Sequence, residues 1–148
     1  MLGERGQRDD FGELSWFSHD DLYRPEKVAR QVEAWGRFGQ PCVVIGDFDL
    51  MDAAGTTIAW MSIRGYNLVA RPLDAVFFGL INGCALMVPR NLFDRAGLFE
   101  PGLPTTQDYH LWYRLARLVP FVYCADAGVQ QRVHDLQGSK QSSHLDEA

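Results

Sequence analysis

The sequence predicts an α/β sandwich whose sheet is mostly parallel and carries one antiparallel segment. Three observations predict it. Segments with strand character alternate along the chain with segments of helical spacing. Two of the strand-like segments, Cys42–Leu50 and Cys84–Val88, carry unbroken apolar runs, as strands buried on both faces do. Asp52-Ala-Ala-Gly55 lies between two strand-like segments and marks a hairpin. The chain has 148 residues, 47% hydrophobic and 22% charged. That is one domain of ordinary globular composition, large enough to fold without a disulfide or structural metal.

In order along the chain, Phe11–Phe17 alternates and predicts a short strand that ends at Ser18, followed by a turn at His19-Asp20-Asp21. Pro25 suits the first turn of a helix, and Glu26 suits the positive end of its dipole. Val28, Val32 and Trp35 repeat at i, i+4, i+7, predicting an amphipathic helix to about Phe38. Cys42–Leu50 and Thr56–Met61 form the hairpin arms. Pro72–Ile81 has helical spacing at Leu73, Val76, Phe77 and Leu80. Cys84–Val88 is a second buried strand. Asn91 is placed to cap a short helix to Ala96, with Gly97 as its stop. After a proline-containing loop over 98–104, Gln107–Leu118 forms a helix with Leu111, Trp112, Leu115 and Leu118 in one stripe. Phe121–Tyr123 and Val129–Val133 are short strands. Residues 1–10 and the polar tail from 138 are expected to be frayed.

Several classes are excluded or disfavoured. Fourteen Lys and Arg against nineteen Asp and Glu leave a net charge of −5 with the signs mixed along the chain, which disfavours nucleic-acid binding. The three cysteines, Cys42, Cys84 and Cys124, are far apart and form no CxxC pair, so they are expected to be small buried hydrophobes in a reducing compartment. No secretory leader is visible, and the most apolar stretch, Val76–Val88, is shorter than the ~20 residues a spanning helix needs. A cytoplasmic protein is expected.

Three places could carry chemistry. Ser18-His19-Asp20-Asp21 sets two carboxylates side by side; a hard divalent cation such as Mg²⁺ or Mn²⁺ relieves their repulsion, although two acids leading into a helix dipole explain the same residues. Asp108 stands at a predicted helix start, either as a general base or as the acid of a Thr105-Thr-Gln-Asp108 capping box. Arg132 and His134 share one face of a strand and could meet phosphate or metal, or simply lie at the surface. Asp47 and Asp49 are expected to be solvated or near the turn, and Tyr109, Trp112 and Tyr113 to be core or rim.

The order of these pieces is similar to that in family 2 glycosyltransferases. Leu14-Ser-Trp-Phe-Ser-His-Asp-Asp-Leu-Tyr-Arg-Pro-Glu-Lys27 resembles their metal-motif segment. Asn82-Gly-Cys-Ala-Leu-Met-Val-Pro-Arg90 with Phe93-Asp-Arg-Ala-Gly-Leu-Phe99 resembles their acceptor-side core, and Thr105-Thr-Gln-Asp-Tyr-His-Leu-Trp-Tyr-Arg-Leu-Ala116 their catalytic-base helix. Arg132-Val-His134 closes the pattern, so the resemblance runs from about Phe11 to Lys140.

The resemblance implies a GT-A-like three-layer sandwich and inverting, metal-assisted transfer from a nucleotide-diphosphate sugar to a hydroxyl of a glycan or lipid-linked acceptor. It assigns Asp108 as the base, Asp21 and His134 to the metal, and Asp20 and Arg132 to the donor. Two residues depart from the pattern: Ser18 stands where an acid is frequent, and Gln107 where Glu is usual. The family's opening nucleotide-binding strands have no counterpart here, so residues 11–137 match a partial domain, to be completed by another segment, another chain or a second copy. Relatives of this kind act in envelope glycan synthesis, in the cytoplasm or peripheral to the inner membrane face. The competing reading is a glycosyltransferase-like remnant serving as a non-catalytic interaction module. A His-Asp phosphohydrolase built on His19 and Asp20 is disfavoured by the predicted strands.

Overall fold

The computed structural model describes residues 12–103 and 106–133, and all that follows concerns those residues. Six strands and four helices follow in order: β1 (Glu13–Leu14), β2 (Leu22–Tyr23), α1 (Lys27–Phe38), β3 (Val43–Met51), β4 (Thr57–Met61), α2 (Leu73–Phe77), β5 (Leu86–Pro89), α3 (Leu92–Ala96), α4 (Gln107–Ala116) and β6 (Phe121–Arg132). A single 3₁₀ turn, Gly83–Ala85, leads into β5. The expected ends, residues 1–10 and those from 138, lie outside the described residues.

The sheet runs β1-β5-β3-β6-β2, with β4 also paired to β3. The expected α/β class holds, but the sheet is mixed rather than mostly parallel. Only β3 and β6 run parallel; β1–β5, β2–β6, β3–β4 and β3–β5 are all antiparallel. The hairpin is the physical cause. The crossover through α2 departs from β4, the returning arm, so β5 runs with β4 and against β3. Two helices then intervene before β6, which restores the direction of β3.

β3 is the centre, as its apolar start predicted: Val43, Val44 and Ile45 are fully buried. Its side chains alternate between two cores. Val43 and Ile45 join Leu86, Leu111, Trp112, Leu115 and Phe121, while Val44 joins Cys42, Met87 and Cys124 beneath Ala34, Trp35 and Phe38 of α1. Helices thus pack on both faces. All three cysteines are free thiols; Cys42 and Cys124 are buried as expected and Cys84 is half-buried.

The predicted apolar stripe of α1 is rotated in the structure. Val28 and Val32 are 48% and 43% exposed, whereas Lys27 and Gln31 are fully buried. Trp35 and Phe38 do pack inward, so only the last turn follows the simple pattern. The first turns bury polar groups because each finds a hydrogen-bond partner, described below. Helix α2 is shorter than its spacing predicted and ends at Phe77, with Gly79 beyond it at φ +62°.

Helix α3 ends where Gly97 was expected to stop it. Gly97 has φ +79° and ψ 178°, a region that only glycine adopts readily. A Cβ there would lie 2.7 Å from Nη1 of Arg114, whose guanidinium bonds the carbonyls of Ala96 and Leu98. Gly97→Ala is expected to destabilise the domain by about 2–3 kcal/mol through backbone strain and displacement of this clamp, measurable in urea unfolding.

Candidate functional site

The carboxyl-terminal ends of the parallel pair β3 and β6 form the candidate site. Strand ends of this kind are where open α/β sheets place ligands. Residues from distant parts of the chain meet there. Oδ1 of Asp21 accepts the backbone N–H of Arg132 at 3.0 Å. Nε of Arg132 donates to the carbonyl of Asp20 at 3.3 Å, and its Nη1 donates to the carbonyls of Asp52 and Ala53 at 3.1 and 2.7 Å. Beside them, Nδ2 of Asn82 donates to Oε1 of Gln131 at 2.9 Å. The acid turn, the hairpin turn, the segment before β5 and the end of β6 therefore converge.

The turn that carries the acids is shaped locally. The N–H of Asp21 donates to the carbonyl of Ser18 at 3.3 Å, and Oγ of Ser18 donates to Oδ1 of Asp20 at 2.6 Å. Ser18, which stands where the resembled family often has an acid, thus supports Asp20 as a hydrogen-bond donor. Asp21 is only 7% exposed. Burial raises its carboxyl above the ordinary value, opposed by the Arg132 N–H and the Cys84 thiol that bond it. Its negative charge is therefore held in a poorly solvated place, which a nearby cation would favour.

Asp108 lies in the first turn of α4, half-buried. The capping-box expectation rests in part on Thr105, which is outside the described residues. Thr106 occupies the cap position and makes no side-chain capping bond, while Oδ1 of Asp108 accepts the N–H of Tyr109 at 2.8 Å. Four residues on, and on the same helix face, Trp112 is buried. A Cβ on Gly83 would meet its ring at 3.4 Å, and the next residue, Cys84, reaches Asp21. The helix of Asp108 and the acid turn thus flank the same segment, residues 82–84. Trp112 also packs edge-on against Trp16, with centroids 5.1 Å apart, just ahead of the acid turn. Tyr109 and Tyr113 are at the rim, as expected.

Asp47 and Asp49 are not the solvated acids the alternation indicated. Asp49 is 5% exposed and ion-paired with Arg24. Asp47 accepts the Tyr123 hydroxyl at 2.6 Å and the Ile63 N–H at 2.9 Å. Both tie the sheet together. With Arg30, Trp60 and Asp126 they line an open groove of about 370 Å³. Sequence spacing did not distinguish them from the acids of the turn, because their partners, Arg24, Ile63 and Tyr123, lie far from them along the chain.

His134 lies outside the described residues. Among the described residues, no three His, Cys, Asp or Glu side chains gather closely enough to hold a metal ion. No described helix is long and apolar enough to cross a membrane.

No protein-family model matches the chain. It is similar to proteins named uncharacterized glycosyltransferase from Rickettsia felis and Rickettsia conorii, each 34% identical over 138 residues, covering 90% of this chain and 23% of the relative. A protein of the same description from Rickettsia typhi is 31% identical over 129 residues, 84% of this chain and 40% of the relative. The chain spans about a quarter of the length of the first two relatives.

Proposed function

We propose that this chain forms the catalytic and acceptor-side part of an inverting glycosyltransferase that moves a sugar from a nucleotide-diphosphate donor to an acceptor hydroxyl. The observation that carries the reading is the junction of Asp21 with Arg132, 111 residues apart, at the open ends of β3 and β6. Similarity to glycosyltransferase-named proteins over most of the chain supports it. The finer attribution, to a family 2 enzyme with a GT-A-like fold, rests on the ordered motifs.

In this reading Asp108 accepts the proton of the acceptor hydroxyl as its oxygen forms the bond to the anomeric carbon and the bond to the diphosphate oxygen breaks. Asp20 and Asp21 hold the donor end, with Asp20 fixed by Ser18 and Asp21 by the Arg132 N–H. Two adjacent carboxylates fit Mg²⁺ or Mn²⁺, which is usually held by one or two carboxylates and completed by substrate phosphates and water. His134 is the proposed further ligand. When bound, the metal supplies positive charge against that growing on the leaving diphosphate. Arg132 contributes from its fixed place beside Asp20. The acceptor is proposed to be a glycan or a lipid-linked glycan met at the cytoplasmic membrane face.

The test is nucleoside diphosphate release from a panel of nucleotide sugars with Mn²⁺. The chain is assayed alone, with a second copy at high concentration, and with the further regions its relatives carry. Asp21→Ala is expected to weaken metal-dependent binding about 10- to 100-fold. Equal binding by this variant would overturn the metal assignment. The non-catalytic reading draws on one feature, the engagement of the Arg132 guanidinium by three backbone carbonyls. It expects no nucleotide-dependent heat in calorimetry under any of these conditions.

A further inference from the structure

Lys27 is fully buried, and among the described residues no carboxylate pairs with it. An isolated ammonium costs free energy to bury, and a Met or Leu would fill the same space under α1 at no such cost. Its neighbours are specific. Nζ donates to Oγ of Ser15 at 2.7 Å and to Oε1 of Gln31 at 2.8 Å, and sits 4.2 Å from the centre of the Tyr23 ring. Each neighbour passes the connection on. Oγ of Ser15 donates to the carbonyl of Leu86 at 2.9 Å and lies 3.0 Å from the Tyr23 hydroxyl. That hydroxyl donates to the carbonyl of Trp16, and Nε2 of Gln31 donates to the carbonyl of Ala85 at 2.8 Å.

The network has a definite place in the chain. Ser15 and Trp16 enter the acid turn, Tyr23 leaves it, and Ala85 follows the segment Asn82–Cys84 that flanks Asp21. One ammonium therefore contacts the segment entering the turn and the strand leaving it, and through Gln31 it reaches the segment beside it. We propose that Lys27 is a positioning residue: it ties α1 to both ends of the Ser18–Asp21 turn, so that Asp20 and Asp21 are held ready for the donor's metal and diphosphate. Its bearing on metal binding rests on the transferase reading; its hold on the turn does not.

Two measurements on the 148-residue chain separate these. Hydrogen exchange of the amides of residues 16–23 reads the turn directly. Paramagnetic broadening of backbone NMR signals by Mn²⁺, alone and with inorganic pyrophosphate, reads the metal site. In Lys27→Met, exchange over 16–23 is expected to accelerate about tenfold while β3 and α4 stay protected, and Mn²⁺ affinity is expected to fall about tenfold. Ser15→Ala, which removes one link and leaves the buried charge, is expected to shift both in the same direction by a smaller factor, and it carries the test if Lys27→Met does not fold. Unchanged exchange over 16–23 in the folded variants overturns the proposal. Faster exchange with no Mn²⁺ broadening at the turn in the wild type supports Lys27's hold and overturns the metal reading instead. Faster exchange with undiminished Mn²⁺ affinity overturns the link between the network and the metal site.

Discussion

Asp108→Asn is expected to lower sugar transfer about 10²- to 10⁴-fold, the range that one positioned general base supplies. The fold should be almost unaffected. Asp108 is half-buried in the first turn of α4, and its one described bond is that from the Tyr109 N–H to Oδ1. An asparagine carbonyl accepts the same bond. Only the charge at the positive end of the helix dipole is lost, worth about 0.3–1 kcal/mol. The apolar stripe of the helix, Leu111, Trp112 and Leu115, remains in the core. The expected signature is therefore a collapse of kcat with a midpoint of unfolding that moves by a few degrees at most. Donor binding, measured without acceptor, should be retained, because the acids assigned to the donor lie on the other side of residues 82–84. Unchanged turnover would remove Asp108 from the mechanism. Loss of donor binding together with turnover would make it a structural acid.

The elements were legible in the sequence wherever a local rule sufficed. The hairpin from β3 to β4, the stop of α3 at Gly97 and the inward stripe of α4 all follow from periodicity and turn residues. What failed depended on partners far away. Val28 and Val32 satisfied the helical period but face solvent, because Lys27 and Gln31 find hydrogen-bond partners beneath α1 that no local pattern shows. Asp49 alternated like a surface acid, yet Arg24 makes it a buried one. Strand direction failed for a related reason: periodicity finds strands but does not say that β5 continues from the returning arm of a hairpin. The candidate site was visible only as an order of motifs. The meeting of Asp21 with Arg132 is a product of sheet pairing, which residue spacing does not encode.

The buried ammonium makes the second large prediction. Burial lowers the Lys27 ammonium to about 8 from an ordinary 10.5. The ionisable groups that act on it are the thiols Cys84 and Cys124, which oppose that shift only as thiolates. The sign follows from proton binding. Between pH 8 and 10.5 the unfolded chain holds this proton and the folded chain does not, so raising the pH favours the folded state. Burial pushes the Cys42 and Cys84 thiols up to about 11, and there the sign reverses: the folded chain keeps protons that the unfolded chain loses above about 9. The raw pH profile of the wild type is therefore a sum of opposing slopes. Subtracting the profile of Lys27→Met isolates the lysine. Relative to that variant, the wild type is expected to gain about 2–3 kcal/mol of unfolding free energy between pH 7 and 10, read from urea melts at each pH. Parallel profiles would mean that the ammonium is as well solvated in the folded chain as in the unfolded one. A converging pair would show that near neutral pH the domain carries a charge that lowers its own stability. The groups that charge touches, Ser15, Gln31 and Tyr23, are those that frame the acid turn. In the positioning role proposed for Lys27, a buried charge set against Ser15 and Tyr23 holds Asp20 and Asp21 in one geometry, whereas an apolar side chain would stabilise α1 and leave the turn free to move.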